Sequence, residues 1–256
     1  MVFGDFVLKV RSLIAAALSC VSAGVACAGE VHVAVAANFT APAKDLAPIF
    51  LKQTGHSLIL SFGGTGMFYG QIKNGAEYDV LLAADSRTPE RAVREGYGVE
   101  GSSFTYAMGR LVLWSSDGSK VTDGKALLQS GKFERCAVAN PKLAPYGLAA
   151  YQTLESLNLL ESVKPRFVEG NNIGSAFNFV KTGNADVGFV ALSQVFKNGR
   201  MKSGSGWIVP TNLYEPIRQD AVLLKNGRNS EAAKAFLAFL KGPEAARVKQ
   251  AYGYGN

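Results

Sequence analysis

Strand-like and helix-like segments alternate along the chain from residue 31 onward, and this alternation constrains the fold more than any other feature. Short apolar runs typical of buried strands occur at residues 31–37, 58–62 and 79–84, and a helix-like stretch follows each of them. Alternation of this kind predicts an α/β protein with mostly parallel sheets flanked by helices. In such folds, ligands bind beyond the carboxyl ends of strands, against the N termini of helices.

The alternation occurs in two series, which predicts two lobes. The second series begins with the strand-like run at residues 110–116, and a late strand-like run at 218–224 precedes two terminal helical segments. We predict that this late part returns to the first lobe, so that residues 29–108 and 217–256 form one lobe and residues 109–216 the other. The chain then crosses twice between the lobes, at a hinge. The alternative, in which the late strand completes the second lobe, remains open.

Residues 1–28 have the order of features of a secretory signal peptide. A positively charged start precedes an apolar run at residues 13–25, and A-C-A at residues 26–28 matches a small-residue cleavage site. The apolar run is shorter than the roughly 20 residues that span a bilayer. These features predict an exported protein that is cleaved near Ala28.

Composition and charge exclude several classes of function. The formal net charge is +7, but the charges are scattered, without a basic run interleaved with aromatic residues, so nucleic-acid binding is not supported. After cleavage only Cys136 remains, which excludes an intramolecular disulfide and a multi-cysteine metal site. Cys136 lies in a strand-like run and is interpreted as a buried hydrophobe. The only two histidines, His32 and His56, flank strands and are interpreted as solvated or hydrogen-bonded.

Capping signals set the expected helix starts. Thr40 is predicted to cap the first helix, and Pro48 within that helix predicts a kink or a delayed start. Asp85 follows a strand and is predicted, with Ser86, to cap a helix that starts at Thr88.

Four strand-to-helix junctions carry small residues or neutral hydrogen-bond donors. The first turn of a helix has up to four N–H groups without an intrahelical partner, and about half a positive elementary charge. An anion can therefore be held there without an ionised side chain. The junctions are residues 37–40, 63–66, 144–147 and 170–174.

The glycine-rich junction does not match the two nucleotide-binding loops that it resembles in composition. Gly64, Gly66 and Gly70 give the spacing G-x-G-x-x-x-G instead of the dinucleotide fingerprint G-x-G-x-x-G, and no lysine follows in the position that a P-loop requires. The junction is therefore interpreted as part of a site for a small anion.

The four junctions lack carboxylates, and this bears on which anion they suit. Phosphate at neutral pH still carries a proton and needs an acceptor, whereas a fully deprotonated tetrahedral dianion needs only donors. Side chains of Asn38 and Thr65 and backbone N–H groups can supply such donors. The junctions therefore favour a sulfate-like or molybdate-like ion.

Several ordered motifs resemble the periplasmic molybdate-binding proteins of ABC importers. They are VAVAANFTAPAKDLAPIF, SFGGTGMFYGQIKNGAEYDVLLAAD, NPKLAPYGLAAYQTLESL and the closing AFLAFLKGPEAARVKQAYG. The resemblance implies the two-lobe periplasmic-binding-protein fold, with molybdate or tungstate held between the lobes by neutral donors. It implies no cofactor and no catalysis, a membrane ABC permease as the partner, and a monomer.

The resemblance also implies the ligand-binding residues. Asn38 and Thr65 would act from the first lobe through side chain and backbone, and Tyr146 and Ile173 from the second lobe chiefly through backbone N–H groups. Further candidates are Ala37, Gly64 and Asn172.

Two positions depart from the family pattern. Ala191 stands where one branch of the family has a tyrosine hydroxyl, and Ala37 stands where a hydroxyl residue can occur, so the number of donors stays open. Two other functions also stay open. One is a binding protein for sulfate or another small anion. The other is an exported hydrolase that uses Cys136 or a histidine.

Overall fold

Residues 28–255 are described by a computed structural model, and they form two β-sheets flanked by helices. The strands are β1 (Glu30–Ala36), β2 (Ser57–Gly63), β3 (Val80–Leu82), β4 (Phe104–Gly109), β5 (Leu111–Ser115), β6 (Cys136–Ala139), β7 (Phe167–Gly170), β8 (Val187–Ala191), β9 (Phe196–Lys197), β10 (Arg200–Met201), β11 (Ser205–Ile208) and β12 (Ile217–Leu223). The helices are α1 (Thr40–Thr54), α2 (Thr65–Lys73), α3 (Arg87–Arg94), α4 (Gly124–Ser130), α5 (Pro145–Ser156), α6 (Leu160–Val163), α7 (Ile173–Lys181), α8 (Leu192–Val195), α9 (Glu231–Lys241) and α10 (Pro243–Ala251). The α/β class and the two-lobe architecture predicted from the alternation are confirmed.

The first sheet has the strand order β2-β1-β3-β12-β4. Strands β1, β2 and β3 are parallel, whereas β12 is antiparallel to both of its neighbours. The second sheet has the order β11-β5-β8-β6-β7, in which β5 is antiparallel to both of its neighbours and β6 is parallel to β7 and β8. In each sheet four strands run in one direction and one strand, β12 or β5, runs against them. Both sheets are therefore mixed, with most strands parallel as expected.

The chain passes between the sheets at two places that lie close together. Strand β4 ends at Gly109 and β5 begins at Leu111, and the chain returns from β11 in the second sheet to β12 in the first. Each sheet has its own apolar core, with Phe39 and Phe236 in the first and Trp114 and Phe189 in the second. The carboxyl ends of β1, β2, β6 and β7 lead through short turns into the helix starts discussed below.

Helix α1 begins differently from the sequence expectation. A 3-10 turn, Ala37–Phe39, precedes the helix, and the Thr40 hydroxyl donates to Ala37 O at 2.9 Å instead of capping the helix, so the predicted cap is wrong. The helix also continues from Thr40 to Thr54 with Pro48 inside, so its start is not delayed. Burial of Phe50 and its apolar neighbours, about 1.5 to 3 kcal/mol for each large side chain, offsets the backbone hydrogen bond that a proline removes.

The predicted signal peptide lies outside the described residues except for Ala28. Within residues 28–255, none of the helices is both long enough and apolar enough to cross a bilayer.

Candidate functional site

The four strand-to-helix junctions meet around one small cavity between the two sheets. The volume in which a water-sized sphere can be centred there is about 10 Å³, so the space suits one small ligand. Its lining residues are uncharged and mostly small. They are Ala36, Ala37, Asn38, Gly63, Gly64, Thr65, Ala84, Leu143, Ala144, Pro145, Tyr146, Asn172 and Ile173. All seven residues named as candidates from the sequence are therefore brought together here.

Thr65, the first residue of α2, is oriented as a hydroxyl donor. It is only 3% exposed, and its Oγ1 accepts a hydrogen bond from Ala84 N at 2.9 Å. A hydroxyl has one proton and two lone pairs. Because Ala84 uses a lone pair, the Thr65 proton remains available to an acceptor in the cavity.

Helix α5 leaves one N–H group free at its start. Pro145 has no N–H, and the Gly147 N–H donates to Ala144 O at 2.9 Å. Tyr146 N–H therefore remains, and it has no acceptor among residues 28–255. The Tyr146 side chain is buried and its hydroxyl accepts from Gln219 Nε2 at 2.8 Å.

Helix α7 leaves a single free N–H group in the same way. The Asn172 side chain caps this helix, and its Oδ1 accepts from Gly174 N at 2.8 Å and Ser175 N at 3.1 Å. The Asn172 side chain does not accept from the N–H of Ile173, and this N–H has no acceptor in the described part of the chain. Ile173 can thus offer its backbone N–H to the cavity, although its apolar side chain gives no sign of a donor.

The Asn38 side chain differs from the sequence expectation of a free donor. Its Nδ2 donates to Gln219 Oε1 at 2.8 Å and to the Tyr254 hydroxyl at 2.9 Å, which uses both amide protons. Its Oδ1 is buried and has no hydrogen-bond partner among the described residues. In this arrangement the side chain has a spare acceptor, whereas a doubly negative ligand needs a donor.

The charged residues nearest the cavity lie at its mouth. The mouth is lined by Asp85, Arg87 and Lys142, among others. Asp85 Oδ1 accepts from Thr88 N at 2.6 Å, so its side chain caps the first turn of α3 as predicted, whereas Ser86 makes no side-chain capping bond and the helix starts at Arg87 instead of Thr88. Burial raises the pKa of the Asp85 carboxyl above its ordinary value, and its hydrogen bonds to Thr88 oppose that shift. The positive charges of Arg87 and Lys142 favour the approach of an anion to the mouth.

The residues behind the cavity were not found by sequence reasoning. Gln219, Tyr254 and Ser193 surround Asn38, and the Ser193 hydroxyl donates to Asn38 O at 2.8 Å. Ala191, the position that departs from the family pattern, is fully buried and does not line the cavity.

The groups that a hydrolase would need lie away from the cavity. Cys136 is fully buried in β6, and burial raises the pKa of its thiol to about 12. His56 Nδ1 accepts from Gly29 N, and neither His56 nor His32 lines the cavity. In residues 28–255 there is also no group of three or more metal-ligating side chains of the His, Cys, Asp and Glu types.

Two lobes with a small neutral cavity between them define a ligand-binding protein of the two-lobe class. The profile of the bacterial extracellular solute-binding proteins matches residues 31–255, and the chain belongs to this family.

Individual relatives are similar over nearly their whole length. The molybdate-binding protein ModA of Azotobacter vinelandii is 58% identical over 89% of this chain and 90% of the relative. ModA of Rhodobacter capsulatus is 52% identical over 90% of this chain and 89% of the relative. Among solved structures, the Azotobacter vinelandii periplasmic molybdate-binding protein has a TM-score of 0.85 and 41% identity, covering 88% of this chain and 99% of that structure.

Proposed function

We propose that this protein captures molybdate, and tungstate equally well, between its two lobes and delivers the oxyanion to a membrane ABC permease. The observation that carries the proposal is the uncharged cavity, at which the unengaged hydroxyl proton of Thr65 and the unengaged N–H groups of Tyr146 and Ile173 are gathered. The similarity to proteins named molybdate-binding supports the choice of ligand.

A doubly negative tetrahedral ion offers hydrogen-bond acceptors on every side. A cavity that presents donors and no carboxylates complements such an ion. Hydrogen bonds to a charged acceptor are roughly twice as strong as neutral ones. The N termini of α2, α5 and α7 add their positive ends at the same point. Hydrogen phosphate needs an acceptor for its proton. The carboxylate at the mouth, Asp85, is engaged with Thr88, and Asn38 Oδ1 can accept only in the amide orientation that offers no donor to the other phosphate oxygens.

Ligand capture follows from the two-lobe geometry. We assign residues 29–108 and 217–256 to the first lobe and residues 109–216 to the second. Thr65 then belongs to one lobe, and Tyr146 and Ile173 to the other, so only the closed form satisfies all faces of the ion at once. Closure by hinge motion between lobes is a common mode of binding in such folds.

The same proposal makes the protein a periplasmic binding protein and not an enzyme, exported with its signal peptide removed near Ala28. It needs no cofactor, since molybdenum enters only as the bound oxyanion. We infer that it acts as a monomer, because both sides of the cavity are formed by one chain.

Calorimetric titration of the mature chain tests the proposed function. Molybdate and tungstate are expected to bind with one ion per chain and with similar affinity, because the two ions have nearly the same size and charge. Sulfate is smaller and is expected to bind more weakly, since it cannot reach donors on both lobes together. Phosphate at neutral pH is expected to bind most weakly.

Native mass spectrometry with and without molybdate supplies the stoichiometry and the oligomeric state in one measurement. Tighter binding of sulfate than of molybdate would assign the protein to sulfate instead. Absence of binding for all four ions would overturn the proposal.

A further inference from the structure

We propose that Gln219 is a positioning residue that turns the Asn38 amide so that its Nδ2, and not its Oδ1, meets the bound oxyanion. This inference rests on the proposed function. It concerns a buried hydrogen-bonded cluster behind the cavity, formed by Asn38, Gln219, Tyr106, Tyr146 and Tyr254, which we call the amide relay.

The side-chain amide of Gln219 is the centre of the relay. Gln219 is fully buried on β12, in the chain segment that returns from the second sheet. Its Oε1 accepts from Asn38 Nδ2 at 2.8 Å and from the Tyr106 hydroxyl at 3.1 Å. Its Nε2 donates to the Tyr146 hydroxyl at 2.8 Å, which reaches the second lobe.

With the amides in this orientation, two polar groups are poorly satisfied. Asn38 Oδ1 is buried without a partner in the described part of the chain. The Tyr146 hydroxyl accepts from Gln219, but its own proton has no acceptor among residues 28–255. An unsatisfied buried polar atom costs about 1 to 3 kcal/mol. Asn38 lines the cavity, so a ligand held there can supply the missing partner.

Rotation of both amides by 180° exchanges each nitrogen with an oxygen at nearly unchanged positions. Gln219 Nε2 then donates to Asn38 Oδ1 and to the Tyr106 hydroxyl. Tyr106 donates its own proton to Ala83 O, which lies 3.1 Å from its hydroxyl oxygen in the structure. Gln219 Oε1 accepts the Tyr146 proton that was unused. Asn38 Oδ1 then accepts the Tyr254 proton, which no longer serves Asn38 O at 3.0 Å or Ser193 Oγ at 3.1 Å, while Asn38 O keeps its hydrogen bond from Ser193. Every contact made by the two side-chain amides keeps one donor and one acceptor.

The joint rotation changes the Asn38 group at the cavity from a hydrogen-bond acceptor to a donor. Asn38 Nδ2 takes the position of the unpartnered Oδ1, and Asn38 lines the cavity. A dianion needs a donor there, and its binding supplies the free energy that selects this orientation. One amide cannot rotate alone, because Gln219 Oε1 would then face Asn38 Oδ1 at 2.8 Å with no proton between them.

The packing around the relay is consistent with a fixed role for Gln219. A Cβ built on Gly109 would lie 2.4 Å from the Tyr146 hydroxyl and 2.6 Å from Gln219 Nε2. Gly109 lies where the chain first crosses between the sheets. Because it has no side chain, Tyr146 and Gln219 can approach each other beside it.

Two substitutions at Gln219 test the proposal in the full mature chain. In Gln219→Glu, an ionised carboxylate accepts only, so Asn38 Nδ2 must donate to it and Oδ1 stays toward the cavity. Molybdate affinity is expected to fall by about 10- to 100-fold, the size of one lost hydrogen bond to a charged group. A buried Glu titrates as high as about pH 8 to 9, and once protonated it can donate to Asn38. The loss is therefore expected to shrink as pH falls from about 9 to about 6.

Gln219→Met adds no charge and removes the control over Asn38, so its loss is expected to be about 10-fold and independent of pH. The matched control is Gln71→Glu. Gln71 is exposed on α2, lines neither the cavity nor its mouth, and its Oε1 accepts from the Tyr78 hydroxyl at 3.1 Å. This variant is expected to bind molybdate as the unaltered chain does.

A neutron crystal structure of the molybdate complex gives a direct answer even if a variant fails to fold. Nδ2 of Asn38 is expected within hydrogen-bond distance of a molybdate oxygen, with Gln219 Nε2 toward Asn38 Oδ1. Gln219 Oε1 toward Asn38 in that complex would overturn the inference, as would unaltered affinity in both Gln219 variants. If the unaltered chain binds none of the oxyanions, the proposed function itself fails, so the two failures are distinguishable.

Discussion

Gly64 at the start of α2 lies directly against Asn172 at the start of α7, across the gap between the two sheets. A Cβ built on Gly64 would lie 3.2 Å from Asn172 Cβ, which is tighter than ordinary van der Waals contact. Gly64 has an extended backbone that any residue adopts, so the glycine is required by this close approach and not by its own conformation.

A side chain at Gly64 is therefore expected to hinder closure without harming the fold of either lobe. Gly64→Val should lower molybdate affinity by about 10-fold or more, since overpacking typically costs about 1 to 3 kcal/mol. The melting temperature of the ligand-free protein should change little. Calorimetry and thermal melts check both points. Gly70→Ala, in the same helix and with open space around it, is the matched control and should leave affinity unchanged.

The hydroxyl of Thr65 is expected to contribute to binding as a donor. Thr65→Val keeps the shape but removes the proton, and molybdate affinity should fall by about 10- to 100-fold. It also leaves Ala84 N without its acceptor, so the free energy of unfolding should fall by about 1 to 3 kcal/mol. Thr65→Ser retains the hydroxyl and should bind nearly as the unaltered chain. Equal titration curves for the two variants would exclude a donor role for this side chain.

The fold was predictable from the sequence because strand periodicity and turn residues are local signals. The alternation of elements gave the α/β class, and the junction at residues 63–66 marked a helix start near the cavity. The continuous helix across Pro48 was not predictable, because burial of Phe50 outweighs a local preference only in the folded core.

The amide relay was beyond sequence reasoning for a related reason. Asn38 contacts Gln219 and Tyr254, which lie 181 and 216 residues away along the chain. No periodicity links positions that far apart. The Ile173 donor, by contrast, came from the family resemblance alone, since a backbone N–H leaves no trace in residue type.

Cys136 is expected to be inert to thiol reagents in the folded protein. Burial raises the pKa of its thiol to about 12, so almost no thiolate is present near pH 8. A chromogenic disulfide reagent should react only after unfolding in urea. Cys136→Ala should keep molybdate affinity, since the residue lies outside the cavity. Rapid labelling of the native chain would contradict this expectation and reopen the hydrolase alternative.

Alkaline pH is expected to destabilise the protein through its buried tyrosines. Burial raises the pKa of Tyr106, Tyr146 and Tyr254 above the ordinary value of a phenol. In the unfolded chain these phenols ionise near pH 10, whereas in the folded chain they keep their protons. The unfolded state then binds fewer protons, so the free energy of unfolding falls as pH rises above about 10.

Urea unfolding between about pH 8 and pH 11 should show a constant free energy of unfolding at first and a steep decline at the higher pH values. Tyrosinate absorbance, followed in parallel, should rise in a last step that coincides with unfolding. Full ionisation of all tyrosines while the protein remains folded would show that the relay hydroxyls are accessible to solvent.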